Sequence, residues 1–310
     1  MSDPLVWLPF DPAELGEVPP GLRFEVFDHR RFGGAEVEVP GSVGEVAFYV
    51  PPYLLGSRIF DVVEQMKSLQ VVQLLTAGVD EARGRIPQGV TLCNGRGIHD
   101  TSTAELTLTL ILSSLRGIPD HVRHQDKHTW QQAWFPALAD KRVLIVGYGA
   151  IGRAIEQRLL PFETEVVGVA RTARGGVRGF DELSSLVPDA DVIVIATPLT
   201  DETRGLVDSE FLGRMKDGAL LVNIARGGVV VTDDLVAELA TERISAALDV
   251  VDPEPLPQDS PLWDSPNLLI TPHVGGPSSA TWPRAHRVVR EQLERFAAGE
   301  PLENVMSGDY

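Results

Sequence analysis

The run Gly147-Tyr148-Gly149-Ala150-Ile151-Gly152 directly follows an apolar stretch at 143–146. It opens a segment in which Ile151, Ala154, Ile155 and Leu159 recur at helical spacing until Pro161. Strand, glycine turn and helix in that order are the mark of a nucleotide-binding βα unit. Gly147 permits a tight turn, Gly149 lets backbone approach a pyrophosphate, and Gly152 allows the helix to pack closely on the strand. The helix start adds free N–H groups and a partial positive charge. A dinucleotide is the predicted ligand, held by the turn residues Gly147 to Gly152.

The remaining patterns extend this unit in both directions. Strands are predicted at 166–169, 192–196, 219–223, 244–248 and 268–271, with helices between most of them and Asp181, Ser209 and Thr232 as N-caps. Upstream, β-rich runs at 5–9, 22–27, 46–50, 71–75 and 91–94 alternate with turns and a predicted helix over 58–66. Ser102 and Glu105 have capping-box spacing, so a long helix is expected to begin near Thr103. A last helix is expected over 280–299, folding back on the first domain. The fold class is therefore α/β with two domains. A Rossmann-type doubly wound parallel sheet over 101–281 would bind the dinucleotide, and a flavodoxin-like α/β substrate domain would comprise 1–100 and 282–310.

An acid is expected about 20 residues after the glycine turn, where it would hold the ribose hydroxyls. The sequence instead reads Val169-Ala170-Arg171-Thr172-Ala173-Arg174, and the stretch 166–179 carries Arg171, Arg174 and Arg178 with no acid. The chain as a whole has a formal net charge of −17, so a local cluster of arginines stands out. Arginine at this position pairs with a 2′-phosphate, and Thr172 adds a hydroxyl. NADP(H) is predicted in preference to NAD(H), with NAD(H) as the alternative.

Three predicted strand ends carry polar groups suited to hydride chemistry. Arg226 follows the strand at 219–223, Asp249 ends the next and precedes Pro253-Glu254-Pro255, and His273 follows the last in Thr271-Pro272-His273-Val274-Gly275-Gly276. Ligands of open α/β sheets sit at such strand ends. With these residues in view, the chain resembles the D-isomer-specific 2-hydroxyacid dehydrogenases, most of all the glyoxylate/hydroxypyruvate reductases among them. The likeness runs from about 74 to 305 and rests on GYGAIG, Thr197-Pro198-Leu199-Thr200 with Glu202-Thr203, VNIARGG, ALDVVDPEPLP and TPHVGG.

The resemblance implies that Arg226 binds and polarises a keto acid, that His273 is the general acid/base, and that Glu254 orients His273 and raises its pKa. It implies that Asp249 holds the nicotinamide carboxamide, that Thr103 lies near the nicotinamide, and that Thr197 and Pro198 line the cofactor. Ala77 and Gly78, in Thr76-Ala77-Gly78-Val79-Asp80, would hold the substrate carboxylate through their N–H groups. The implied reaction is hydride transfer between NADP(H) and a small 2-keto or 2-hydroxy acid, glyoxylate or hydroxypyruvate. A homodimer joined through the nucleotide domains is implied as well, with Trp130 and Trp134 packing against a neighbour. Trp282 and Tyr53 are candidate edges of the substrate pocket.

The alternatives are a short-form phosphoglycerate dehydrogenase and a nucleotide-sensing corepressor on the same fold. Formate dehydrogenases pair their histidine with glutamine, which Glu254 argues against. The acidic charge excludes nucleic acid and anionic membrane as partners on electrostatic grounds. A single cysteine, Cys93, leaves no internal disulfide or thiolate cage. No apolar run approaches the roughly 18 residues of a membrane helix, and MSDPLVWLPFDP lacks the pattern of a secretory signal, so a cytoplasmic protein is expected. His121, His124 and His128 have helical spacing, yet no nearby acid or cysteine completes a metal site, and none is predicted.

Overall fold

Apolar runs without polar alternation need cover on both faces, and in this chain they become parallel strands. The structure, a computed structural model, describes residues 2–27, 39–53 and 56–306. The chain divides into two units, Met1–His99 with Ser279–Tyr310, and Asp100–Ser278.

The first unit holds β1 (Leu5–Leu8), β2 (Arg23–Val26), β3 (Val46–Tyr49), β4 (Val71–Gln73) and β5 (Thr91–Cys93). They pair in parallel in the order β2-β1-β3-β4-β5, the flavodoxin-like arrangement. Neighbouring residues of each strand enter opposite layers of the core. Leu5, Trp7, Tyr49 and Val72 face one layer, and Val6, Leu8, Phe48 and Val71 the other.

The second unit begins with α1 (Asp100–Leu115) and α2 (Ile118–Asp126). It continues through β6 (Arg142–Val146), α3 (Ala150–Leu159), β7 (Glu165–Ala170), β8 (Arg178–Gly179), α4 (Leu183–Leu186) and β9 (Val192–Ile195). Then come α5 (Ser209–Arg214), β10 (Leu220–Asn223), α6 (Thr232–Leu239), β11 (Ser245–Leu248) and β12 (Leu268–Ile270). All seven strands are parallel, in the order β12-β11-β10-β9-β6-β7-β8. Because β6 has β7 on one side and β9 on the other, the sheet grows outward in both directions from it. The crevice at that reversal is where doubly wound sheets take ligands. Val143, Ile145, Val192 and Val194 pack with Leu108 and Ile111 of α1 and Ile155 and Leu159 of α3. Leu144, Val146, Ile193 and Ile195 pack with Phe211 and Leu212 of α5 and Leu235 and Leu239 of α6.

The final helix, α7 (Thr281–Ala298), belongs to the first unit, where Ala285, Val289 and Leu293 cover Val6, Leu8 and Phe48. Gly299, at φ 68°, ends it. No described helix is long and apolar enough to cross a membrane.

Several local expectations are corrected. The helix predicted over 58–66 is two 3-10 turns, Gly56–Phe60 and Val63–Gln65, although Ile59, Phe60, Val62, Val63 and Met66 are buried as the pattern required. A segment this short, rich in β-branched residues, gains too little from helical hydrogen bonds to extend into an α-helix by itself. Ser102 and Glu105 form no capping box, because α1 starts at Asp100 and encloses both. The helix ahead of β9 opens as a 3-10 turn capped from Gly179, and α5 is capped by Asp208, whose carboxylate accepts from Phe211 N. Asp181, Ser209 and Thr232 thus lie within first turns and are not caps.

Candidate active site

Each glycine of the 147–152 turn has its own steric reason. Gly147 sits at φ 102°, and a Cβ there would lie 2.4 Å from Thr197 N, so the chain leaving β9 can press against the turn. A Cβ on Gly152 would stand 2.9 Å from Gly147 O and 3.3 Å from Ile145 Cγ2, where α3 meets β6. Among the described residues nothing lies within 4 Å of a Cβ on Gly149, and no side chain caps the N-terminus of α3. Open space in front of uncapped N–H groups, over Ala150 and Ile151, fits a pyrophosphate. Tyr148 contributes backbone there. Its ring lies over Gly168, where a Cβ would come within 2.3 Å of it, and its hydroxyl donates to Glu156.

Past β7 the arginines are less isolated than their sequence suggests. Arg171 Nε lies 3.6 Å from Glu202 Oε2, and Arg178 pairs with Glu182 at 3.2 Å. Arg174 donates to Tyr148 O at 3.1 Å, which ties it to the glycine turn. Thr172 is exposed beside them. A stretch free of acids along the chain thus meets Glu202 from the turn after β9 and Glu182 from the 3-10 turn that directly follows it. Thr197 and Pro198 open a turn after β9 that Thr203 pins by donating to Pro198 O at 2.6 Å.

The three remaining strand ends converge. Buried Asn223 donates to Arg226 O at 3.0 Å and accepts from Ala225 N at 3.1 Å, folding the turn that presents Arg226. Gly227 has to be glycine, since a Cβ would overlap Val251 O at 1.9 Å. That contact presses the Arg226 turn onto the loop carrying Glu254. Glu254 Oε1 accepts from Val251 N at 3.0 Å, and Oε2 from His273 Nδ1 at 2.8 Å. The Glu254 hydrogen bond raises the His273 pKa. Burial opposes it, the charges of Glu254 and Asp249 reinforce it, and Arg226 counters in part. For Glu254, burial pushes the carboxyl upward, but the hydrogen bonds from His273 and Val251 and the charges of His273 and Arg226 hold it below the usual range. The site therefore favours imidazolium beside carboxylate. With Nδ1 engaged, Nε2 is the nitrogen left for proton exchange.

Buried Asp249 does something its sequence position did not disclose. Oδ1 accepts from Thr271 Oγ1 at 2.6 Å and from Val274 N at 2.9 Å, and Oδ2 from Gly275 N at 2.9 Å. Together with His273 N donating to Asp249 O at 2.8 Å, these bonds hold His273 at φ 54°, a left-handed conformation that β-carbons disfavour. Thr103, inside α1, donates to Gly275 O at 3.2 Å, and Ser102 to Gly276 O at 3.1 Å. Asn223, Gly227 and Thr271 were missed in the sequence, although the glycine pair after Arg226 was a signal of close backbone approach.

In the first unit, Thr76, Ala77 and Gly78 form a partly exposed turn after β4. Among the described residues no acceptor meets the N–H of Ala77 or Gly78. Tyr53 stacks on His99 with ring centroids 5.2 Å apart, and Trp282 meets Phe10 edge-on at 6.1 Å.

His121 and His124 lie on α2 and His128 beyond it at φ 52°. Among the described residues no cluster of three or more His, Cys, Asp or Glu side chains is placed to hold a metal. These histidines line a hollow of about 950 Å³ with Trp130 and Trp134. The two indoles are 93% and 101% exposed, so neither packs within its own unit.

Residues 108–275 match the family described as D-isomer specific 2-hydroxyacid dehydrogenase, NAD binding domain. The glyoxylate reductase/hydroxypyruvate reductase of Mus musculus is 36% identical over 235 residues, 69% of each chain. The D-3-phosphoglycerate dehydrogenase of Methanocaldococcus jannaschii is 32% identical over 80% of this chain, which spans only 49% of that protein. Among solved structures, an NADPH-dependent glyoxylate/hydroxypyruvate reductase from Sinorhizobium meliloti, in complex with NADP and sulfate, superposes with a TM-score of 0.80. It is 28% identical, with 98% of this chain and 97% of that one covered.

Proposed function

The chain belongs to the D-isomer specific 2-hydroxyacid dehydrogenase family, and from that premise we propose that it reduces glyoxylate or hydroxypyruvate to the 2-hydroxy acid, using NADP(H) in preference to NAD(H). The observation that carries the reading is His273 bound to Glu254 at 2.8 Å, with Arg226 close enough to act on both. When bound, the nicotinamide supplies the hydride. His273 Nε2 gives its proton to the carbonyl oxygen as negative charge develops there, and Glu254 keeps the ring oriented and charged until it does. Arg226 binds the acid and stabilises the oxyanion, where a fixed positive charge lowers the barrier most. The N–H groups of Ala77 and Gly78 hold the carboxylate.

For the cofactor, the N-terminus of α3 takes the pyrophosphate, and Arg171, Thr172 and Arg174 take the ribose 2′-phosphate. Thr103, Thr197, Pro198 and Asp249 line the nicotinamide side. Arg171→Ala is expected to raise KM for NADPH about tenfold, the worth of one exposed charge-assisted hydrogen bond, and KM for NADH less than twofold. Equal effects on both cofactors would remove Arg171 from 2′-phosphate recognition.

Steady-state oxidation of NADPH and NADH with a panel of 2-keto acids tests the reading as a whole. Preference for 3-phosphohydroxypyruvate would establish a phosphoglycerate dehydrogenase instead, the reading that the M. jannaschii relative keeps alive. Tight NADPH binding without turnover of any keto acid would establish a nucleotide sensor. We propose also a cytoplasmic homodimer in which Trp130 and Trp134 are covered by a second copy, since two exposed indoles on one segment are costly in water. Light scattering should give twice the 33.7 kDa of one chain, and the Trp130→Ala, Trp134→Ala double variant half of that.

A further inference from the structure

The turn after β4 is tied down on one side only. Leu74 O accepts from Gln73 Nε2 at 2.8 Å, Leu75 O from His99 Nε2 at 2.9 Å, and Thr76 O from Gly95 N at 2.7 Å. Ala77 O accepts from Asn94 Nδ2 at 3.1 Å and Gly78 O from Thr76 Oγ1 at 2.8 Å. Five consecutive carbonyls are therefore engaged, whereas the N–H groups of Ala77 and Gly78 meet no acceptor among the described residues. In a planar trans peptide the C=O and the following N–H point in opposite directions. Anchoring Ala77 O on Asn94 thus aims the Gly78 N–H away from Asn94, and anchoring Thr76 O on Gly95 does the same for Ala77.

The donors are themselves held. A Cβ on Gly95 would stand 2.6 Å from Leu75 C and 2.9 Å from Thr76 N, so only glycine lets this backbone come close enough. Asn94 Oδ1 accepts from Arg96 N at 3.2 Å, fixing the amide rotamer. Gln73 also donates to Asn94 O at 3.0 Å, while its own Oε1 accepts from Gln292 Nε2 at 2.7 Å. Gln292, on α7, donates to Glu303 O at 2.8 Å and accepts from Glu303 N at 2.9 Å. Gln73, Asn94 and Gln292 are 0%, 4% and 2% exposed. Three amide side chains buried together on three separate segments are costly unless their orientations are mutually satisfied.

We propose that Asn94, Gln73 and Gln292 are positioning residues that set the affinity for the substrate carboxylate, by locking the carbonyl side of the 74–78 turn so that the Ala77 and Gly78 amides present as a fixed pair of donors. The proposal rests on those amides holding the carboxylate. It makes α7 and the residues around Glu303 part of substrate recognition without touching substrate.

Asn94→Ser withdraws the donor from Ala77 O without adding charge, and Gln292→Met keeps bulk while removing the support of Gln73. The expected result is a rise in KM for glyoxylate of about tenfold in Asn94→Ser and several-fold in Gln292→Met, with kcat and KM for NADPH within about twofold of the parent. Hydrogen exchange resolved at 76–79 supplies the second readout. In the parent protein with NADPH, oxalate should slow exchange of the Ala77 and Gly78 amides, and in Asn94→Ser that protection should shrink. If oxalate leaves these amides unprotected in the parent, the turn does not hold the carboxylate and the proposal falls with that reading. If oxalate protects them and both variants keep the parent KM for glyoxylate, the carboxylate site stands and the positioning role is refuted. A matching rise in KM for NADPH would show a general distortion and refute it too.

Discussion

His273→Asn is expected to lower kcat for keto-acid reduction by about 10²–10⁴-fold, the range that positioned proton transfer contributes, while the Kd for NADPH stays within about twofold. Asparagine keeps a polar side chain of similar reach but can neither carry the proton nor hold positive charge. Nδ1 is bound to Glu254, and the pKa of the imidazole is raised first by that hydrogen bond. With His273 as the proposed general acid, reduction needs the protonated ring, so its rate should fall as pH rises through the His273 pKa, and a raised pKa should extend the active range upward. Glu254→Gln removes the charge that sustains the shift. The basic limb of the kcat profile in the reduction direction should then move to lower pH, and in the oxidation direction, which needs neutral imidazole, activity should begin at lower pH. Stopped-flow hydride transfer with fluorescence titration of NADPH separates chemistry from binding. A fully active His273→Asn variant would remove the imidazole from the mechanism.

Arg226→Gln is expected to cost about 10³-fold or more in kcat/KM for glyoxylate, again with NADPH binding preserved. Loss of one fixed donor at a developing oxyanion is worth about 10²–10³ in rate, and loss of a charge-assisted bond to the carboxylate adds to it. Arg226→Lys should recover only part of this, because an ammonium cannot reproduce the planar fork that a carboxylate and a carbonyl oxygen share. The turn itself is held chiefly by Asn223 and by the Gly227 contact with Val251, and the guanidinium adds one bond, donating to Ala225 O at 2.7 Å. The variant should therefore melt with the parent, and thermal unfolding beside the kinetics checks that. A loss below tenfold would show that Arg226 neither binds the acid nor stabilises its charge.

Much of the site was readable from residue order, for reasons that differ from residue to residue. Gly147 and Gly152 were legible because each answers a steric demand of the strand–turn–helix unit itself, and Gly149 because it stands at the open start of α3. His273, Glu254 and Arg226 were legible as strand-end residues in a doubly wound sheet, where position along the chain translates into position along one edge. The arginine stretch was half legible. Arg171, Arg174 and Arg178 follow β7 in the chain, but Glu202 reaches Arg171 from the turn after β9, which no window of local sequence registers, whereas Glu182 pairs with Arg178 at a spacing of four residues that the sequence displays. The helix over 58–66 and the Ser102–Glu105 cap misled because burial and spacing were right while hydrogen bonds went elsewhere, Ser102 to Gly276 and the 56–65 segment into 3-10 turns.

What the residue order determined by itself is the alternation of buried strands with helices and the chemistry at strand ends, since both depend on periods of a few residues. The tertiary structure alone decided which polar groups satisfy one another. Asp249 became the clamp of the His273 turn through Thr271 and the amides of Val274 and Gly275. Gln73 found Gln292 across 219 positions of chain. Hydrogen bonds are satisfied by distance and angle in space, and separation along the chain places almost no limit on which donor reaches which acceptor once the backbone has closed its loops.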